Sequence, residues 1–211
     1  MSIYQYVVLE KPEAAQTAAG IDGIDMENVD YKRQPDIKHV RDHVSSQGGF
    51  CCGIIRGGMF GLATNQVAVL SAWHDSGSAK QCFSEDDTSL DYRIIESCEL
   101  TPTVRPTKSE RIDREGIYVI RWIRILPSDI EEYTRLCLET WPAFEARDYA
   151  CCFGVFRVIG NEAVAKILML TWYASLTDWE NSRQLDPKDK PKWARRSEME
   201  LSHWAKAGRL A

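Results

Sequence analysis

The chain has 211 residues, a net charge of −5 and a pI near 5.5, with 44% hydrophobic and 27% charged residues. These fractions are ordinary for a globular protein long enough to bury a sizeable core, and the acidic balance excludes nucleic acid as the main partner, because phosphate contacts need clustered Lys and Arg. No apolar run reaches membrane-spanning length, and the N-terminus lacks the basic start, apolar core and cleavage site of a signal peptide, so a cytoplasmic protein with no membrane partner is expected.

Residues 3–9 are rich in Val and Tyr and read as a strand stopped by Pro12. Gly20 and Gly23 mark a loop. Ile37, Val40 and Val44 recur at helical spacing, with Asp36 as the N-cap and Gly48 and Gly49 as the stop. Residues 51–60 and 66–73 form a hairpin across a turn near Asn65, a short helix covers 77–83, and 92–99 is a fourth strand that stops at Pro102. The order β-α-β-β-α-β is the ferredoxin-like motif.

Residues 101–115 are polar and broken by Pro102 and Pro106, which divides the chain into 1–105, a linker at 106–115, and 116–211. The order then restarts. It runs as a strand at 117–125; a helix from Ser128, with Ser128 and Glu131 as a capping box and Pro142 kinking or ending it; strands at 152–158 and 165–173; a helix at 175–183 capped by Ser175; a helix at 191–203; and a short final strand. The restart shows residue by residue. CCGIIRGG and VAVLSAWHDS in the first half stand against CCFGVFRVIG and AKILMLTWYAS in the second, each pair preceded by an apolar segment opening Ile-Tyr. This pairing makes Trp73 equivalent to Trp172, Arg56 to Arg157, and His74 to Tyr173.

Each such unit has one sheet face covered by helices and one bare, and two units in one chain can cover each other's bare face. The segments IYVIRWIRILPSDIEEY, LTWYASLTDWENSR and DPKDKPKW resemble the opening strand and helix, the Leu-x-Trp-x-Tyr/Asp-Ser-Leu signature and the DP...W segment of the NIPSNAP family, in the dimeric α+β barrel superfamily. The likeness covers about residues 116–196, and the first half joins it only through the repeat. It implies an α+β fold in which two tandem ferredoxin-like units form an intramolecular dimeric α+β barrel, so that no second chain is needed for closure. In small-molecule enzymes of this superfamily a Trp of the third strand lines the pocket, which marks Trp73 and Trp172 as ligand-binding candidates against a plain packing role.

Strand alternation puts Ile117, Val119, Arg121 and Ile123 on one face, with Tyr118, Ile120, Trp122 and Arg124 on the other. An arginine in mid-strand needs a partner or water, so Arg121 either lines the cavity as a catalytic residue or pairs with a carboxylate at its rim. Arg56 and Arg157 join it in a cationic pocket for a carboxylate or enolate, or form rim salt bridges. His74, at a strand end, is the second catalytic candidate, as a proton shuttle or a haem ligand, against a plain surface histidine. His39 and His43 have chelating spacing, but their neighbours Lys38, Arg41 and Asp42 mark a solvated face and no third ligand is placed, so no metal, haem or other cofactor is expected. Glu139, Trp141 and Glu145 near Pro142 hold either a base or a solvated helix face. Seven cysteines without CxxC spacing read as reduced, buried thiols. GxSxG, Walker, HExxH and GxGxxG motifs are absent. Two readings follow: a small-molecule enzyme carrying out cofactor-independent oxidation or isomerisation of an apolar or aromatic substrate in the barrel cavity, or a non-catalytic ligand-binding or protein-interaction module.

Overall fold

The computed structural model describes residues 2–12, 34–84, 91–160, 163–184 and 187–211. The loop expected at Gly20 and Gly23 lies outside them. In chain order the elements are β1 (Ile3–Glu10), α1 (Ile37–Ser46), β2 (Phe50–Arg56), β3 (Gln66–Trp73), α2 (Ser76–Cys82), β4 (Arg93–Pro102), β5 (Ile117–Ile125), a 3-10 turn (Pro127–Asp129), α3 (Ile130–Glu145), β6 (Ala150–Val158), β7 (Ala165–Tyr173), α4 (Leu176–Asn181), α5 (Lys190–Met199) and β8 (Glu200–Leu210). No described helix is long and apolar enough to cross a membrane.

The expected caps form at α1 and α4, and α2 has one that was not expected. The side chains of Asp36, Asp75 and Ser175 accept from the backbone N–H of His39, Ser78 and Asp178, satisfying donors that have no partner inside the helix. The capping box at Ser128 does not form. A 3-10 turn intervenes, Ser128 turns its hydroxyl to Asp129, and α3 starts at Ile130 without a side-chain cap. Pro142 does not end α3, which continues to Glu145, with Ala146 N–H reaching Pro142 O at 3.0 Å. The helix expected over 191–203 stops at Met199 and the final strand is eleven residues long. Composition allows helix across this span, but Glu200 is extended, its carboxylate taken by Tyr133 from α3 and by His203 three residues on.

The chain divides into two compact units. The first takes the described residues of Met1–Glu99 with Ser109–Asp113 and Gly208–Ala211, and the second takes Leu100–Lys108 and Arg114–Ala207. In the first unit the strands lie in the order β4, β1, β3, β2, with the end of β8 beside β2. In the second the order is β8, β5, β7, β6, with the end of β4 beside β6. Both are ferredoxin-like sheets, with the fourth strand beside the first. The polar stretch 101–115, which includes the linker, carries structure of its own: Thr103 N–H bonds Val155 O at 2.9 Å, and Ile112 N–H bonds Cys52 O at 2.8 Å.

Strand register corrects one part of the repeat. Ile3 faces Trp73 on β3 and Ile117 faces Tyr173 on β7, while Cys51 faces Ser71 and Cys152 faces Thr171. Both hairpins carry a bulge, between Cys51 and Gly53 and between Cys152 and Gly154. By position Trp73 therefore matches Tyr173, not Trp172, and Arg56 still matches Arg157. A one-residue slip puts a strand side chain on the opposite face, so the shift decides which aromatic reaches which side of the sheet.

In the second unit α3 and α5 cover one face of the sheet. Ile123, Ile125, Tyr133, Cys137, Trp141, Ile167 and Met199 form its core, and the first unit has a matching core around Val7, Val40, Val44, Val69 and Trp73. The other face of the second sheet is buried too, as Ile120, Trp122, Phe156 and Leu170 show. Arg121 lies on the helix-covered side, with Ile123 and Met169. That corrects the expectation that its face is the bare one.

Candidate functional site

A cavity of about 400 Å³ opens between the sheet and the helices of the second unit, within the range of small-molecule sites. Its floor is Arg121 on β5 with Met169, Thr171 and Tyr173 on β7; its walls come from α3, α4, α5 and the start of β8. The walls are aromatic. Phe144 meets Tyr173 edge-on at 6.0 Å between ring centroids, and Tyr173 and Trp179 lie 6.3 Å apart.

Arg196 is the unusual member. It is 3% exposed, and its guanidinium sits between two rings, 4.8 Å from the Tyr133 centroid and 4.5 Å from that of Trp193. Its Nη2 donates to Tyr133 Oη at 3.0 Å, while Nε and Nη1 have no hydrogen-bond partner. Burial works against this charge, but Tyr133, Cys137 and Glu200 hold it, so its pKa lies above the ordinary arginine value. Arg121 makes only a long contact from Nη1 to Met169 Sδ, 3.9 Å, and exposed Arg183 at the mouth lies 5.8 Å from the Trp179 ring. Among the described residues no carboxylate forms an ion pair with any of these three arginines.

The cavity's carboxylate, Glu200, is engaged elsewhere. Tyr133 Oη donates to its Oε1 at 3.1 Å, and His203 Nδ1 lies 2.8 Å from its Oε2. Burial chiefly drives the Tyr133 phenol well above its ordinary pKa, so it stays a donor. A continuous chain thus runs from His203 through Glu200 and Tyr133 to Arg196. A carboxylate on Nδ1 fixes that nitrogen as the protonated one and leaves Nε2 as the basic atom.

Of the residues singled out from sequence, Arg121 and Trp141 line this cavity. Trp172 does not. It lines a more open hollow of about 600 Å³, where its Nε1 donates to Glu115 O at 2.9 Å and Arg114 sits over its ring. The carboxylate of Glu145 in that hollow is taken up by neighbours outside its lining, Arg105 Nη1 at 2.7 Å and Cys152 N–H at 3.0 Å. Trp73 is buried in the core of the first unit, its Nε1 on Ser71 Oγ at 2.8 Å. Arg56 donates to Gln34 Oε1 at 3.0 Å, and Arg157 is exposed on β6. The cationic trio expected from Arg56, Arg157 and Arg121 is replaced by Arg121, Arg183 and Arg196. His74 is exposed at the end of β3, beside the capping Asp75. His43 Nε2 lies 2.8 Å from Cys82 O and His39 meets Tyr92 edge-on; the described residues contain no cluster of three metal-ligating side chains. Glu139 pairs with Arg135 and Lys192 on the surface. Sequence reading missed Tyr133, Arg196, Glu200 and His203. The available signal was an arginine three residues after Trp193, on the apolar side of a short helix.

No family model matches the sequence, and no curated protein matches it. Solved structures do. The chain is similar to a mutant chlorite dismutase from Candidatus Nitrospira defluvii, at 8% identity and a TM-score of 0.64 over 100% of this chain and 91% of that one. It is similar to an anthrone oxidase-like protein at 12% identity and a TM-score of 0.59, over 99% and 91% of the two chains. A NIPSNAP domain protein from Burkholderia xenovorans matches 43% of this chain and 90% of its own length, at 13% identity and a TM-score of 0.36. At such identities the likeness is one of fold. That fold is α+β, with a ferredoxin-like sheet in each unit.

Proposed function

We propose that the chain is a small-molecule enzyme whose chemistry takes place in the cavity of its second unit and begins with removal of a proton beside a carbonyl. The observation that carries this reading is the chain His203–Glu200–Tyr133–Arg196 on the wall of a 400 Å³ aromatic cavity. His203 Nε2 takes the proton, and Glu200 holds the imidazolium that results. The electron pair left on the substrate becomes an enolate, whose charge the buried Arg196 stabilises from a low-dielectric wall. Return of the proton at another carbon completes an isomerisation. With dioxygen as oxidant the same enolate opens an oxidation, and neither route requires a cofactor.

The reading gains support from the fold neighbours, which include an anthrone oxidase-like protein and a chlorite dismutase. Its test is deuterium exchange at the acidic C–H positions of 2-tetralone, followed by NMR. The wild-type chain should accelerate exchange, and His203→Ala and Glu200→Gln should each lose at least tenfold of that acceleration. Equal acceleration by wild type and His203→Ala would remove the assignment.

A further inference from the structure

The cavity joins two properties that rarely coincide: flat aromatic walls and positive charge left unmatched. Among the described residues neither Arg196, which is buried, nor Arg121, which is half-buried with Nη1 3.9 Å from Met169 Sδ, forms an ion pair, and Arg183 stands at the mouth. Against them stands one carboxylate, Glu200, already shared between Tyr133 and His203. A cleft lined mainly by one sign of charge concentrates ligands of the other. The enolate of the reaction engages one guanidinium. Arg121 still offers a planar fork of N–H donors, the geometry that suits a carboxylate.

We infer that the natural ligand is an aryl carboxylate: a flat aromatic body stacked among Phe144, Tyr173 and Trp179, with a permanent carboxylate on Arg121 and the buried charge of Arg196 behind it. This rests on the proposed reading of the cavity and names the substrate class that reading leaves open. The nitrogens Nε and Nη1 of Arg196 are shut off from solvent, so direct contact belongs to Arg121 and Arg196 acts through its field. Arg121→Lys keeps the charge but loses the fork, Arg121→Met loses both, and Arg196→Met removes only the field.

The test is isothermal titration calorimetry of the whole chain with 2-naphthoate and, in parallel, with neutral 2-naphthalenemethanol. Wild type should bind one equivalent of 2-naphthoate at least tenfold more tightly than the alcohol. Arg121→Met should bring 2-naphthoate down to the level of the alcohol while changing alcohol affinity less than twofold, and Arg121→Lys should fall in between. Arg196→Met should weaken 2-naphthoate several-fold. If the alcohol binds as tightly as the acid, the carboxylate inference is overturned while the cavity reading stands. Binding of 2-naphthoate that is indifferent to both Arg121→Met and Arg196→Met overturns it as well. If neither compound binds, the cavity reading falls and the inference with it.

Discussion

Replacing Tyr133 by Phe isolates one hydroxyl in the chain that ends at Arg196. Tyr133 is fully buried, and its oxygen both accepts from Arg196 Nη2 and donates to Glu200 Oε1. Each is a hydrogen bond to a charged group, worth about 1.5–3 kcal/mol. Phe keeps the ring and its contact with the guanidinium but leaves Arg196 with no hydrogen-bond partner, since Nε and Nη1 already lack one. Glu200 keeps His203. We expect Tyr133→Phe to cost about 3 kcal/mol, the lower end of the two bonds together. Arg196→Met loses the same bond to Tyr133 but takes the buried charge away with it and fills the space with an apolar chain, so it should cost less than Tyr133→Phe, under about 2 kcal/mol. In the double variant the penalty of Tyr133→Phe should shrink by at least about 1 kcal/mol, as expected of groups in direct contact. Urea unfolding followed by circular dichroism measures all three. A loss for Arg196→Met alone as large as the roughly 3 kcal/mol expected of Tyr133→Phe would show that this arginine is structural and refute the argument that its charge is held for a ligand.

Two further outcomes follow from the geometry. Burial pushes the Cys137 thiol from its ordinary 9.0 up to about 11, and drives Cys52 and Cys152 upward as well. The unfolded chain therefore loses these protons first, and the stability present below pH 9 should fall as the pH rises towards 11 in an alkaline urea series; flat stability across that window would count against the burial. Gly116 has φ +143, and a Cβ there would lie 2.4 Å from Tyr173 O and 2.6 Å from Trp172 Nε1. Gly116→Ala should cost about 1–3 kcal/mol, read as a fall in Tm of several degrees, and an unchanged Tm would contradict the close approach.

Most of the fold was legible because its signals are local. Runs rich in Val, Ile and Tyr located β1, β3, β5 and β7 nearly to the residue, and Asp36 and Ser175 mark helix starts through bonds made within one turn. Where tertiary contacts decide, the sequence misled. Glu200 ends α5 because Tyr133 and His203 hold its carboxylate, and Tyr133 lies 67 residues away along the chain. The site follows the same division. Arg121 was visible because a charged residue interrupts an apolar strand, whereas Arg196 sits in a helix rich in Lys and Arg, where one buried member looks like its exposed neighbours.

The corrected register also accounts for the second unit holding an open cavity at a place the first unit fills. Counting from the Ile-Tyr that opens each unit, Val7 stands where Arg121 does, and the strand pairing places Trp73 where Tyr173 is. In the first unit the indole is 2% exposed, bonds Ser71 and extends over Gly49, where a Cβ would lie 2.5 Å from its ring. Val7, fully buried, closes the floor beside it. The second unit has Ala150 opposite Tyr173. The Cβ of Ala150 denies an aromatic ring the pose that Trp73 takes, so the smaller Tyr173 remains as a wall instead of a plug. Arg121 is longer and charged and stays half-buried where Val7 is fully buried. Ala150 in the place of Gly49 and Arg121 in the place of Val7 are thus two differences between the lined cavity and the packed core, on a backbone whose hairpin bulges coincide in both units.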